Sequence, residues 1–265
     1  MKSILLGIIA LTTLIFSNSA EEIFNKKCKS CHQGYIAESQ LLINYEQNNS
    51  KLNLKAPTLT ELSFALRDQV GDRKADKESQ LMEIEDFLTS YLENPDKNRT
   101  ILPLNVVENF KSMPSMRGQI SEEEIELLAP YMFDYSEEMM AKYSVERYCY
   151  KKALKKAEAE GKIVLIEGYI KFCRGCIKMD REVFVEDRVK EALDKDFVFV
   201  KMNMLAQKLP FEMKSMGTPS FYFITNDGKK VIDKIQGIGT VDEFLGLLDE
   251  IKSNLKNGKY LIEKE

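Results

Sequence analysis

Five cysteines and one histidine carry most of the chemistry in this 265-residue sequence. Four of the cysteines fall into two Cys-x-x-Cys pairs. Cys28-Lys29-Ser30-Cys31 is followed at once by His32, the only histidine in the chain. Two thiols at this spacing with an adjacent imidazole read as a c-type haem attachment site. The thiols add to two porphyrin vinyl groups and the histidine reaches the iron from one side, so all three must lie on one turn of backbone. Cys173-Arg174-Gly175-Cys176 lacks the histidine and reads as a thiol–disulfide redox motif. A structural disulfide or half a zinc site is the other reading of Cys28 and Cys31. Zinc needs four ligands, and the chain offers one histidine. Iron bound at His32 has no second histidine for its other face, so methionine is the usual remaining ligand.

Composition bounds the elements that must position these groups. The chain has room for two ordinary domains. Its 44% hydrophobic and 30% charged residues suit globular cores rather than disorder. Residues 1–20 read as a secretory signal peptide: Lys2, a short apolar run from Ile4 to Phe16, then Ser17, Ser19 and Ala20. The apolar run is shorter than the ~20 residues of a spanning helix; an uncleaved anchor is the alternative. No stable membrane span is expected after cleavage. Export implies an oxidising compartment, the periplasm in a bacterium. Residues 21–136 carry 13 basic and 20 acidic side chains, and residues 137–265 carry 24 and 22. Neither balance is the concentrated basic face of a nucleic-acid binder.

The amino-terminal half, 21–136, reads as helical. Glu22 to Cys31 is expected as a short helix with the cysteine motif at its end. Further on, Ser112-Met113-Pro114-Ser115-Met116 precedes Ser121-Glu122-Glu123-Glu124, a capping box. Ile125, Leu128, Ala129 and Met132 then form a helical stripe. On these residues the half resembles a class I cytochrome c. That resemblance implies an all-α cytochrome c fold over about 21–135 and one covalent haem c bound through Cys28 and Cys31. His32 and Met113 would be the iron ligands, with Met116 the runner-up. It also implies a loop proline on the histidine side, matched by Pro57, and a last helix packed on the first. Met113 as core packing and Pro57 as an ordinary turn proline are the alternatives. Two departures stand out. The stretch Leu41 to Lys55 is long for the family, and Pro130 is expected to kink or shorten the last helix.

A connection over 137–150 leads to the second domain, 151–256, with a tail over 257–265. Lys151 to Glu160 reads as a helix closed by Gly161. Ile163 to Ile166 and Phe197 to Val200 read as strands. Ser220 to Ile224 and Val231 to Ile235 flank Asn226-Asp227-Gly228, a hairpin signal. Thr240 to Ile251 reads as an amphipathic helix. A Cys pair between a strand and a helix places its first sulfur at a helix amino terminus, where the dipole and Arg174 favour the thiolate. Cys173 is therefore the expected nucleophile and Cys176 the resolving thiol; an inert structural disulfide is the alternative. The arrangement resembles the thioredoxin family, in pattern most like the carboxy-terminal domains of membrane-bound disulfide reductases. The resemblance implies an α/β fold with a central mixed sheet. It implies a cis-proline at Pro219, a buried acid at Glu167 that assists proton transfer, and a neighbouring Lys201. A trans Pro219, a partly exposed Glu167 and a solvated Lys201 are the alternatives. Phe172 stands where the family commonly has Trp. Cys149 belongs to neither motif and is expected to be buried and inert; intermolecular pairing or a regulatory role is the alternative.

Together these features predict an exported redox protein that combines haem electron transfer with thiol–disulfide exchange. Its partners would be exported thiol or disulfide proteins and a redox partner protein. Methionine ligation raises haem potential, so electrons would run from dithiol to haem, with a second acceptor for the second electron. Two independent tethered modules, or a haem sensor gating the thiol domain, are the alternatives.

Overall fold

The computed structural model describes residues 19–213, 217–237 and 239–263. The predicted leader lies outside them except for Ser19 and Ala20. The chain divides into two compact units. One holds the residues up to Ile36 and Gln40–Ala141; the other holds Ala37–Ser39 and the residues from Lys142 onward. Among the described residues no helix is long and apolar enough to cross a membrane.

The first unit is built of helices: α1 (19–27), α2 (Glu38–Glu46), α3 (Leu59–Gln69), α4 (Lys77–Glu93), the short α5 (Leu104–Val107) and α6 (Glu122–Tyr143). Helix α1 stops at 27, short of the expected Cys31. The chain continues as tight turns, with the Cys28 and Lys29 amides donating to the Phe24 carbonyl and the Cys31 and His32 amides to the Cys28 carbonyl. This winding keeps both cysteines and the histidine on neighbouring turns.

Apolar side chains spaced three and four apart bring α1, α3, α4 and α6 around one core, which contains Phe24, Leu59, Leu66, Ile84, Leu88, Ile125 and Leu128. The first and last of these helices meet through the Phe24 and Tyr131 rings, 6.0 Å apart, and the Lys27–Glu124 ion pair. The capping box at α6 is formed: the Glu124 amide donates to Ser121 Oγ, and the Ser121 amide to Glu124. Pro130 does not end this helix. Buried residues on both sides of it, Leu128 and Ala129 before and Met132 and Phe133 after, hold one stripe against the same core. The long stretch after the cysteine motif is ordered by α2 and an asparagine-rich turn, in which Asn49 Oδ1 accepts from the Leu54 amide and from Asn44.

The second unit contains α7 (Tyr150–Glu160), β1 (Ile163–Tyr169), α8 (Arg174–Lys178), α9 (Asp187–Asp196), β2 (Phe197–Asn203), β3 (Ser220–Ile224), β4 (Lys230–Gln236), α10 (Val241–Lys256) and a short β5 (Ile262–Glu263). The sheet order is β2-β1-β3-β4-β5. The β1–β2 pair is parallel and the other pairs are antiparallel, so the sheet is mixed. Both faces are buried, which explains the continuous apolar runs. Ile163, Leu165, Phe197, Phe199, Phe221 and Phe223 face one core with Phe184, Phe244 and Leu248; Val164, Ile166, Val198, Val200 and Tyr222 face another with Ala153 and Ala157. Gly161 closes α7 in the left-handed region, at φ 70°.

The 137–150 connection holds no Gly or Pro and is in part helical. Its first part completes α6. Its second part packs into the second unit, where Val145 joins the core and Tyr148 bridges Val200.

Candidate functional site

Cys173 and Cys176 are joined as a disulfide. Cys173 is the N-cap of α8, and its Sγ accepts from the Cys176 amide at 3.1 Å. Beyond α8 the chain makes a π-turn over Met179–Val183, an irregularity frequent at functional sites. Phe172, just before the pair, has φ 63° and is exposed. Both sulfurs are in buried residues. The Thr218–Pro219 peptide bond is cis, at the entry to β3.

Glu167 lies near the end of β1, in register with Lys201 of β2 and Phe221 of β3. Its side chain is 0% exposed, and neither carboxylate oxygen has a hydrogen-bond partner among the described residues. Lys201 Nζ is 3.4 Å from Glu167 Oε2 but makes its hydrogen bond to Asp180 of the π-turn. Arg147 binds the other Asp180 oxygen at 2.7 Å. Burial pushes the Glu167 carboxyl up to about 7. Lys201 opposes that rise, Asp180 adds to it, and Arg147 opposes it. A carboxyl poised there can hold or release a proton near neutral pH.

The first unit contains a cavity of about 410 Å³, within the size range of cofactor pockets. Cys28, Cys31, His32, Pro57, Met113 and Met116 all line it. Cys28 and Cys31 are free thiols, so no disulfide joins them. Among the described residues no group of three or more His, Cys, Asp or Glu side chains could hold a metal ion, so a zinc site at this pair finds no ligand set there. Burial pushes the Cys28 thiol up to about 11, against the pull of Lys27. His32 Nδ1 is 2.8 Å from the Pro57 carbonyl oxygen. A carbonyl only accepts, so Nδ1 carries the proton and Nε2 keeps its lone pair. Burial lowers the His32 pKa, and this hydrogen bond opposes it. Pro57 is held in turn by the start of α3. Thr58 and Glu61 form a complete capping box there, and Tyr45 donates to Glu61 at 2.7 Å. The Met116 amide is tied to the Leu92 carbonyl at the end of α4, whereas Met113 sits in the preceding irregular segment.

The structure thus brings Glu167 and Lys201 together, and separately gathers Cys28, Cys31, His32, Pro57 and Met113 on one cavity. It corrects one expectation: Cys149 is exposed, not buried. As the N-cap of α7 its side chain makes no capping bond. Sequence reasoning missed Asp180 and Arg147. Asp180 stands four residues after Cys176, one helical turn on, a spacing that could have drawn notice. Arg147 gives no local signal, because its partner is 33 residues away.

Comparison with known proteins agrees with the second unit. Residues 150–252 match the model of a thioredoxin-like domain. A protein disulfide-isomerase of Hordeum vulgare is 35% identical over 94 residues, 36% of this chain and 17% of its own length. The chain therefore spans about a sixth of that relative. A thioredoxin from Thermus thermophilus is 25% identical, with 41% of this chain and 88% of that one covered and a TM-score of 0.38. The DsbD C-terminal domain of Neisseria meningitidis in its reduced form is 23% identical, with 38% and 91% covered and a TM-score of 0.33. On the sheet order, the Cys-x-x-Cys pair at a helix start and the family match, residues 150–252 form a thioredoxin-like domain with a thiol–disulfide centre at Cys173 and Cys176.

Proposed function

We propose that this chain is an exported redox protein in which a thiol–disulfide oxidoreductase domain is joined to a covalent haem c domain. Its partners are exported proteins with thiols or disulfides, together with a protein that exchanges electrons with it.

In the reducing direction, the Cys173 thiolate attacks a substrate disulfide. A Cys173–substrate bond forms and the second substrate sulfur leaves as a thiolate. Cys176 then gives up its proton and attacks Cys173 Sγ. The Cys173–Cys176 disulfide forms and the second substrate thiol is released, so the substrate gains two electrons and the domain loses two. We assign Glu167 as the group that takes the Cys176 proton and Lys201 as the cation that tempers it. Pro219 would hold extended substrate backbone. The observations that carry this half are the Cys-x-x-Cys pair at the start of α8 and, in the same unit, a wholly buried carboxyl poised about neutrality.

The haem half rests on the donor set around the first cavity. Two free thiols, an imidazole with its Nε2 lone pair kept by the Pro57 carbonyl, and two thioethers line one apolar space. These residues fit a covalently held haem. Cys28 and Cys31 would anchor it, His32 and Met113 would hold the iron, and the hydrogen bond to Pro57 would fix the ring of His32. When bound, haem supplies one-electron transfer.

The test is expression of the full chain in cells that mature c-type cytochromes. The expected product carries one haem that survives denaturation, and the double variant Cys28→Ser with Cys31→Ser carries none. A chain that never acquires covalent haem would end the haem reading and leave the thiol reading intact. Anaerobic stopped-flow absorbance then separates the coupled scheme from tethered modules. Concentration-independent haem reduction by a pre-reduced Cys173–Cys176 pair, lost in Cys173→Ser, means one internal path. A haem that stays oxidised means two modules.

A further inference from the structure

Arg147 lies outside the residues matched to the thioredoxin-like domain, yet its guanidinium reaches the charge cluster at Glu167. It binds Asp180 at 2.7 Å. It lies over the Phe199 and Phe184 rings, 5.5 and 5.9 Å from their centres. Its Nε is buried and has no hydrogen-bond partner among the described residues. A guanidinium seated on aromatic faces, with one donor left unpaired, is held by its packing rather than by solvent.

Asp180 therefore has two cations: Arg147 on one oxygen and Lys201 on the other. Lys201 in turn has two carboxylates: Asp180, to which it donates, and Glu167 at 3.4 Å. We propose that Arg147 is a positioning residue for this site: by gripping Asp180 it keeps Lys201 shared between Asp180 and Glu167. The inference rests on the reading of Cys173 and Cys176 as a thiol–disulfide centre, with Glu167 as its proton acceptor.

The charged groups acting on Glu167 come from three elements: Lys201 from β2, Asp180 from the π-turn and Arg147 from the segment before α7. Its β3 neighbour, Phe221, is apolar. Removing Arg147 leaves Asp180 with Lys201 alone. The ammonium is then drawn onto Asp180, and Glu167 loses attraction from two cations at once. Neutralising Asp180 does the reverse. It frees Lys201 to close on Glu167 and removes a negative charge beside it. The two substitutions therefore act on Glu167 with opposite signs, which a loss of packing would not produce.

The test is a pH titration of the Glu167 side-chain carboxyl by carbon-13 NMR in the full-length oxidised protein, with Glu167→Gln assigning the resonance. Arg147→Gln is expected to raise the midpoint by about 0.5 pH unit or more, and Asp180→Asn to lower it by a similar amount. Arg147→Lys keeps a cation but not the fork, and is expected to fall between wild type and Arg147→Gln. Midpoints that do not move, or that move the same way in Arg147→Gln and Asp180→Asn, overturn the proposal. If Arg147→Gln does not fold, Asp180→Asn and Arg147→Lys decide on the same signs. The titration uses no substrate. A protein that titrates as expected but does not reduce insulin would sink the thiol–disulfide reading and leave the positioning of Glu167 standing.

Discussion

Glu167→Gln tests the energetics of the buried carboxyl most directly. The native carboxyl is raised from 4.5 to about 7, chiefly by burial. Between those two values the folded state binds more protons than the unfolded state. Stability must then fall as pH rises through that window, by about 1.4 kcal/mol per pH unit once the unfolded carboxyl is ionised. Across the interval this amounts to about 3 kcal/mol, fully present below pH 4.5 and fully lost above about 7. Glutamine keeps the shape and cannot ionise. The difference in stability between Glu167→Gln and wild type should therefore shift in favour of the variant by about 3 kcal/mol between pH 4.5 and pH 8. Subtracting wild type from variant at each pH cancels the titrating groups that do not interact with Glu167, leaving its own charge and its coupling to Lys201 and Asp180. The assay is urea unfolding followed by circular dichroism, with the Cys173–Cys176 pair kept oxidised and free energies extrapolated linearly. A difference that stays constant across this range would refute the argument, because the carboxyl would then titrate alike in the folded and unfolded states.

Cys176→Ser should trap a mixed disulfide at Cys173 with a thiol–disulfide substrate, seen as an added mass in non-reducing mass spectrometry, whereas Cys173→Ser should trap none. In the haem-loaded chain, Met113→Ala should lower the reduction potential and open the iron to carbon monoxide. Met116→Ala should do neither, and spectroelectrochemistry checks both. Leu165→Ala removes a side chain that is 0% exposed in the sheet core, and should cost about 2–5 kcal/mol in urea unfolding.

Where the relevant partners are close in sequence, the sequence was legible. The Asn226-Asp227-Gly228 turn lies between β3 and β4 as expected, and Thr240 caps α10 by bonding Glu243 three residues on. The Cys173-x-x-Cys176 spacing likewise places its two sulfurs within one disulfide of each other, four residues in all. Boundaries were less legible. Helix α1 yields to tight turns before Cys28, and α6 passes through Pro130 because tertiary packing on both sides outweighs one missing amide bond.

From the sequence by itself came the Cys173–Cys176 redox motif, the strand and helix order of the second unit, and the types of residue at each site. Only the tertiary structure decided that His32 meets the Pro57 carbonyl, that Cys149 is exposed, and that Arg147, Asp180, Lys201 and Glu167 form one chain of charges. The reason is physical. Turns and caps are closed by neighbours along the backbone, whereas the charge on Glu167 is governed by groups more than ten residues away that only folding brings within a few ångströms and out of water.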